Sequence, residues 1–463
     1  MFLHGTPGFH AVVGNPPYDV LSEKETGHDL SYLRAFLRHS PTYLPSFKGK
    51  NNLYKLFICR AIELLAEGGR LGFICPMPIL GDEQASGIRE RLLSCGAFRS
   101  IEVFPQKDDP HRRVFRDAKL STAVFVFQKL RAETRTSLPF RVRVHPENQI
   151  ETDSPGLLLT ASDVPLYDPE NRTIVSCSQQ DWDLAVRLMH SGRMQRLGDV
   201  CVSFQGEVNE TTDTKKGAVS TSSEDGPLVL RGSNVCLYVL RGASQGDSLF
   251  LREDVYLSGK KAAAKAFHGR EPRVGLQRRS PQNNFRRIVA CFVPAHHYCF
   301  DTVSYIPQAY TQLPLTLVLG LLNSKLLDWY FRLGSTNSKV NEYQFNNLPC
   351  PIFAATDAPG AEDLLAGAFE ILQENKPAEA VALFSSLFDA PPFSRTLENA
   401  IVKATEEIIR FERGRGDIAR SDRSELSDNA KPYQQFIDSL VFEMAGLSDD
   451  EANGLQSRLE KML

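Results

Sequence analysis

An apolar run at residues 9–13 ends in Gly14-Asn15-Pro16-Pro17-Tyr18, a rigid polar-aromatic stretch. A short apolar strand entering such a loop is the pattern an α/β enzyme shows at the carboxyl end of a strand. The alternation then turns helical. A short helix is expected at 30–37, and Gly49 to Asn52 breaks the chain. Apolar positions at Leu53, Leu56, Phe57, Ala61, Leu64 and Leu65 predict a second helix, closed by a C-cap at Glu67-Gly68-Gly69. The pattern next predicts a strand at 70–75, a helix at 84–95 and a strand at 100–104. A basic loop at 106–119 separates these from a strand at 121–128. Strand–helix–strand–helix–strand–strand reads as the second half of a doubly wound α/β sheet, finished by an antiparallel pair.

Beyond residue 130 the pattern changes. Residues 131–175 read as a connecting β region with Pro, Asn and Asp turns, and a new α+β unit opens near 176 and runs to 353. Within it, the Gly/Ser/Thr-rich stretch 206–226 is expected to be an exposed loop. The most apolar stretch, 313–331, is interrupted by Asn323, Ser324, Lys325 and Asp328, so it reads as a buried helix and not a membrane span. Residues 354–463 form a tail with helices expected at 362–374, 378–388, 397–413, 432–445 and 449–462.

Composition adds one asymmetry. The chain has 463 residues and a formal net charge of -3, yet the tail alone carries -10 and residues 1–353 carry +7. A basic body with an acidic tail suits a polyanionic ligand. The basic residues concentrate between 252 and 287, where Lys260, Lys261, Lys265, Arg270, Arg273, Arg278, Arg279, Arg286 and Arg287 are candidate phosphate contacts. Nine cysteines are scattered without a C-x-x-C pair, which indicates neither a zinc ribbon nor a disulfide framework and suits a reduced, cytoplasmic setting. His296-His297-Tyr298-Cys299 reads as a strand edge, and no metal site is expected.

The chemistry centres on the first loop. Two successive prolines fix φ and remove two N–H groups, so the backbone there accepts hydrogen bonds but barely donates them. Asn15 adds a side-chain carbonyl and Tyr18 a flat ring. Two acceptors beside a stacking face suit a planar substrate that carries an amino group.

Asn15-Pro16-Pro17-Tyr18, Asn52-Leu53-Tyr54…Phe57, Gly68-Gly69-Arg70-Leu71, Pro76, Arg89-Glu90-Arg91-Leu92 and Val114-Phe115…Leu120-Ser121-Thr122-Ala123-Val124 follow one another in a fixed order. That order resembles the TaqI-type (γ-class, NPPY) adenine-specific DNA amino-methyltransferases of restriction–modification systems. Leu322-Asn323-Ser324-Lys325 and Leu348-Pro349-Cys350-Pro351 look like the target-recognition domain of the same enzymes. The resemblance implies a methyl transfer from S-adenosylmethionine to the exocyclic amino group of an adenine swung out of duplex DNA. Asn15 Oδ1 and the Pro16 carbonyl would accept the amino protons, aiming the nitrogen lone pair at the methyl group. Tyr18 would stack on the base, with Phe115 as the second base-contacting aromatic and Phe104 as its competitor. Phe57 matches a cofactor-side aromatic, although its helical spacing equally suits the core.

The expected fold is therefore the C-terminal half of a Rossmann-like methyltransferase sheet (1–130), the connecting β region (131–175), an α+β target-recognition domain (176–353) and an acidic helical tail (354–463). The family's glycine-rich cofactor loop and acidic residue, both ahead of NPPY, have no counterpart in the sequence. The expectation is a chain lacking the cofactor-binding half, with double-stranded DNA as ligand, an upstream subunit supplying that half, and a restriction endonuclease as a further partner. Two alternatives stand beside it: a catalytically inactive DNA-binding or specificity subunit, and a protein-glutamine methyltransferase, which shares NPPY.

Overall fold

The structure is a computed structural model that describes residues 8–131, 138–151, 153–242, 246–261, 264–281, 284–416 and 425–461. It divides into two compact units. Met1–Val186 with Leu333–Asn337 forms the first, and Arg187–Arg332 with Ser338–Leu463 forms the second.

The first unit is built on a six-stranded sheet. Its strands are β1 (Phe9–Gly14), β2 (Leu65–Pro76), β3 (Gly96–Phe104), β4 (Thr122–Lys129), β5 (Phe140–Val144) and β6 (Leu157–Leu159). They lie in the order β1-β2-β4-β3-β5-β6. β1 runs parallel to β2 and β3 parallel to β5, while β4 inserts antiparallel to both β2 and β3. The α/β class and the antiparallel finish are as the pattern predicts. The connecting region is not a separate piece, however, because β5 and β6 extend this same sheet.

Alternation along β2, β3 and β4 buries Leu71, Phe73, Cys75, Ile101, Val103, Ala123, Phe125 and Phe127. The Phe98 ring meets Phe125 edge-on at 5.7 Å. The helix expected to close at Gly68-Gly69 ends earlier, at Leu64, and the chain enters β2 directly at Leu65. Gly68 takes a positive φ (77°), so the glycine pair makes a kink inside the strand and not a helix cap.

β1 is the edge of the sheet and is poorly covered. Val13 is 84% exposed and Phe9 44% exposed, and the neighbouring helix Leu53–Leu64 leaves Phe57 48% exposed. Parallel strands are ordinarily covered on both faces and read as continuous apolar runs for that reason.

The second unit carries two four-stranded sheets. One is β13 (Ala290–Val293), β12 (Arg273–Gln277), β15 (Val303–Pro307) and β8 (Phe204–Gln205). The other is β14 (Tyr298–Cys299), β10 (Leu228–Leu230), β11 (Leu249–Leu251) and β9 (Val219–Ser220). β7 (Met194–Arg196) pairs with β16 (Pro349–Pro351). The stretch 206–226, expected as a loop, contains the helix Glu210–Lys215 and β9, because Asn209 caps that helix by accepting from Thr212 N.

The single apolar helix expected at 313–331 is two, Leu315–Leu322 and Lys325–Leu333. Asn323 causes the break: its side chain accepts from Ala290 N and donates to Ala290 O, pairing with β13 as a strand would. Asp328 then accepts from the amides of Arg287 and Ile288. Four tail helices fall within a few residues of their expected bounds, at Ala361–Gln373, Arg395–Gly414, Lys431–Ala445 and Asp449–Lys461, while the one expected at 378–388 is shorter, Pro377–Ala382 followed by a 3-10 turn at Ser385–Leu387; Met462 lies outside the described residues. They are no appendage. Gly320 lies so close to Ile401 and Thr405 that a side chain there would collide with them, and Asp438 accepts from Lys325 N. No helix among the described residues is long and apolar enough to cross a membrane.

Candidate functional site

The Asn15-Pro16-Pro17-Tyr18 loop leaves the end of β1 and crosses the carboxyl end of β2, since Gly14 pairs with Phe73 and the Tyr18 hydroxyl lies 3.2 Å from the Ile74 carbonyl. The crevice outside the carboxyl ends of parallel strands is where open α/β sheets bind ligands. Three further bonds hold the loop down. Asn52 Nδ2 donates to Tyr18 O at 3.3 Å, Leu53 N to Asp19 O at 2.9 Å and Leu21 N to Asn51 O at 2.8 Å. The start of the helix Leu53–Leu64 thus fixes the exit of the loop, and residues 21–51 form an excursion with both ends tied beside Tyr18.

Within the loop, Pro16 is buried while Asn15 and Pro17 are exposed. The Tyr18 hydroxyl donates to Asn15 Oδ1 at 2.8 Å. Burial, with Cys75 nearby, pushes the Tyr18 phenol well above its usual range, so it remains an O–H donor at every physiological pH. An amide oxygen has two lone pairs; Asn15 Oδ1 can therefore take a second donor without losing Tyr18.

The loop 106–119 supplies the opposite wall. A cavity of about 380 Å³ is lined by Asn15, Tyr18, Val114, Phe115, Arg116, Asp117 and Ala118, within the ordinary size range of small-molecule pockets. Phe115 faces Tyr18 with ring centroids 6.1 Å apart and planes at 66°. The two aromatics expected for base contact therefore come together on one cavity. Phe104 does not join them: it is 5% exposed and packs on His145 at 5.0 Å, as a core residue. Phe57 is exposed on its helix, so the core role that its spacing allowed does not hold.

Two residues in this region have roles that sequence pattern did not reveal. Arg113 ties the loop across itself, donating to Lys107 O and Arg116 O, each at 3.1 Å. Lys55, fully buried, donates to Lys48 O at 3.1 Å and Gln84 O at 3.0 Å. Burial brings its ammonium down to about 8. Arg89 of the Arg89-Glu90-Arg91-Leu92 block is equally structural, buried and donating to the carbonyls of Ile79, Asp82, Asn171 and Arg172. An isolated Lys or Arg on a helix gives no signal that its partners will be carbonyls distant in sequence.

The basic residues of the second unit separate into surface and interior. Lys260, Lys261, Lys265, Arg270 and Arg279 are exposed, and Arg278 and Arg286 are half-buried. Lys260 Nζ sits 3.1 Å above the Tyr256 ring, and Arg270 lies over Phe267. Arg273 and Arg287 leave the candidate DNA surface. Arg273 is fully buried in an ion pair with Glu207 at 2.9 Å, and Arg287 is buried against the Phe331 ring. Among the described residues no group of three or more His, Cys, Asp or Glu could hold a metal.

Residues 2–109 match the Eco57I restriction-modification methylase family. That stretch includes the NPPY loop and β1 to β3. The chain is 33% identical over 135 residues to the type II methyltransferase M.TthHB8I of Thermus thermophilus, a match covering 28% of each protein. It is 28% identical over 129 residues to the type II methyltransferase M.HincII of Haemophilus influenzae, covering 27% of this chain and 22% of that one. The matches thus span about a quarter of these relatives. Among solved structures, the Type IIL restriction-modification enzyme MmeI in complex with DNA aligns over 98% of this chain and 57% of its own, with a TM-score of 0.52 and 13% identity. That likeness is one of fold. The stretch that carries Asn15 and Tyr18 therefore matches a restriction–modification methylase family, while the wall 114–118 lies beyond the matched residues, and the chain is similar in fold to a restriction–modification enzyme.

Proposed function

We propose that this chain carries the base-binding site of an adenine-specific DNA methyltransferase in a restriction–modification or phage-defence system. The observation that carries the reading is the cavity at the carboxyl ends of β1 and β2, with Asn15 on its lining and Tyr18 and Phe115 as its aromatic walls. An adenine swung out of the duplex would lie against Tyr18 with Phe115 edge-on to it, offsetting part of its lost stacking. Its amino group would donate to Asn15 Oδ1 and the Pro16 carbonyl. Adenine's amino lone pair is delocalised into the ring. Accepting both protons favours the pyramidal nitrogen that can act as a nucleophile, and the fixed loop holds the acceptors in place.

The methyl donor on this reading is S-adenosylmethionine. The described residues do not build its cradle: β1 is the edge of the sheet, and none of them forms a glycine-rich turn from a strand into a helix on that side. The exposed Phe9, Val13 and Phe57 suit an α/β segment that adds a parallel strand to β1 and covers both its faces, bringing the cofactor groups with it. The same observation favours the second reading, a DNA-binding subunit with no methylation of its own. The exposed cations Lys260, Lys261, Lys265, Arg270 and Arg279, with Arg278 and Arg286, would hold the DNA backbone on either reading.

The test is binding to a short duplex with adenine placed opposite an abasic position, against the same duplex with thymine there. Preference for adenine, abolished in Tyr18→Ala, supports the pocket; equal binding of both duplexes by the wild type refutes it.

A further inference from the structure

The cations of the loop 106–119 are engaged differently from one another. Arg112 pairs with Glu147 at 3.2 Å and Lys119 with Asp108 at 2.7 Å. Arg113 uses its guanidinium on the carbonyls of Lys107 and Arg116. Arg116 is exposed, lines the cavity beside Phe115, and has no carboxylate within ion-pair distance among the described residues. Its main chain is nonetheless held, because Arg113 grips its carbonyl.

We propose that Arg116 is a phosphate-binding residue at the mouth of the base pocket, taking a backbone phosphate of the extruded nucleotide. The inference rests on the adenine-pocket reading. A base lodged in this cavity leaves its ribose and two flanking phosphates toward solvent, and Arg116 is the exposed cation of the cavity lining. Arginine suits the task, since its planar fork matches phosphate oxygens and keeps its charge at any relevant pH. Asp117 lines the same cavity, and its carboxylate would oppose an anion there. Neutralising it is accordingly expected to help binding.

The experiment compares two short labelled duplexes, each with adenine opposite an abasic position. One has native phosphates; the other has neutral methylphosphonates on both sides of that adenine. On the native duplex, Arg116→Ala is expected to weaken binding about tenfold and to lower the salt-dependence slope by about one, while Asp117→Asn binds as well as the wild type or better. On the neutral duplex Arg116 has no phosphate charge to meet, so Arg116→Ala costs nothing more, which is the coupling that a direct interaction requires. Equal weakening on both duplexes, or none on either, overturns the assignment. If the wild type does not prefer the adenine duplex over its thymine counterpart, the pocket reading fails and this one falls with it. If that preference stands while Arg116→Ala behaves as wild type, only the Arg116 assignment fails.

Discussion

The Tyr18 hydroxyl donates to the Oδ1 of Asn15, three residues earlier, at 2.8 Å. The aromatic wall and the amide acceptor of the pocket are therefore one hydrogen-bonded unit. Replacing Tyr18 by Phe keeps the ring but frees the amide to rotate, so methyl transfer should fall several-fold. Base binding should weaken by about 1 kcal/mol or less. Tyr18→Ala removes the stacking face and should cost about 1–3 kcal/mol of binding to an extruded adenine. Titrating the abasic-opposed duplex against the three proteins checks this order. Phe and Ala variants that behave alike would show that the ring contributes nothing.

Phe115 and Phe104 compete for one role in the sequence, and their surroundings separate them. Phe115→Ala should leave the melting temperature near wild type and impair base binding. Phe104→Ala removes a buried ring, at a cost of about 3–5 kcal/mol in stability. Thermal melts and duplex binding on the same two variants make the check; a stable Phe104→Ala protein with a binding defect would reverse the assignment.

Among the clustered cations, burial divides the candidate phosphate contacts from residues that hold the fold. Arg273→Ala would strand the Glu207 carboxylate in the interior and should cost about 3–5 kcal/mol of stability. Neutralising Lys260, Lys261 and Arg270 together should leave stability almost unchanged. It should lower the salt slope of DNA binding by up to about three, one for each phosphate no longer neutralised. An unchanged slope would take these residues off the DNA surface.

Lys55 gives a pH signature. Its folded value near 8 lies below the roughly 10.4 of an unfolded lysine. The folded state therefore carries a penalty for the charged amine below about pH 8, released as pH rises toward 10.4. Burial is the dominant cause, while the nearby Asp82 carboxylate favours the charge and moderates it. Relative to Lys55→Met, the wild type should gain stability between about pH 8 and pH 10, at no more than about 1.4 kcal/mol per pH unit. Urea denaturation of both proteins across that range is the measurement, and parallel curves would contradict it.

Much of the fold is legible in the sequence because it is local. The strands of the first sheet, the helix before β2 and the tail helices each follow from periodicity over a few turns. The pocket residues are legible because Asn15 to Tyr18 are contiguous and Phe115 keeps a fixed spacing to β4. What pattern misses depends on distant partners. Asn323 breaks an apolar helix only because β13 lies beside it, β5 and β6 join the first sheet by pairing to β3, and Arg273 is interior only because Glu207 is there to receive it.

On the proposed reading, the pocket presents the amino group of adenine to a methyl donor. The most direct measurement is the identity of the methylated base in DNA. The chain is expressed with its genomic neighbours in a host without DNA methylation, and the DNA is digested to nucleosides for mass spectrometry. N6-methyladenine with the wild type, and none with Asn15→Ala, is the predicted result. A methylated cytosine in its place, or N6-methyladenine persisting in Asn15→Ala, would contradict the account.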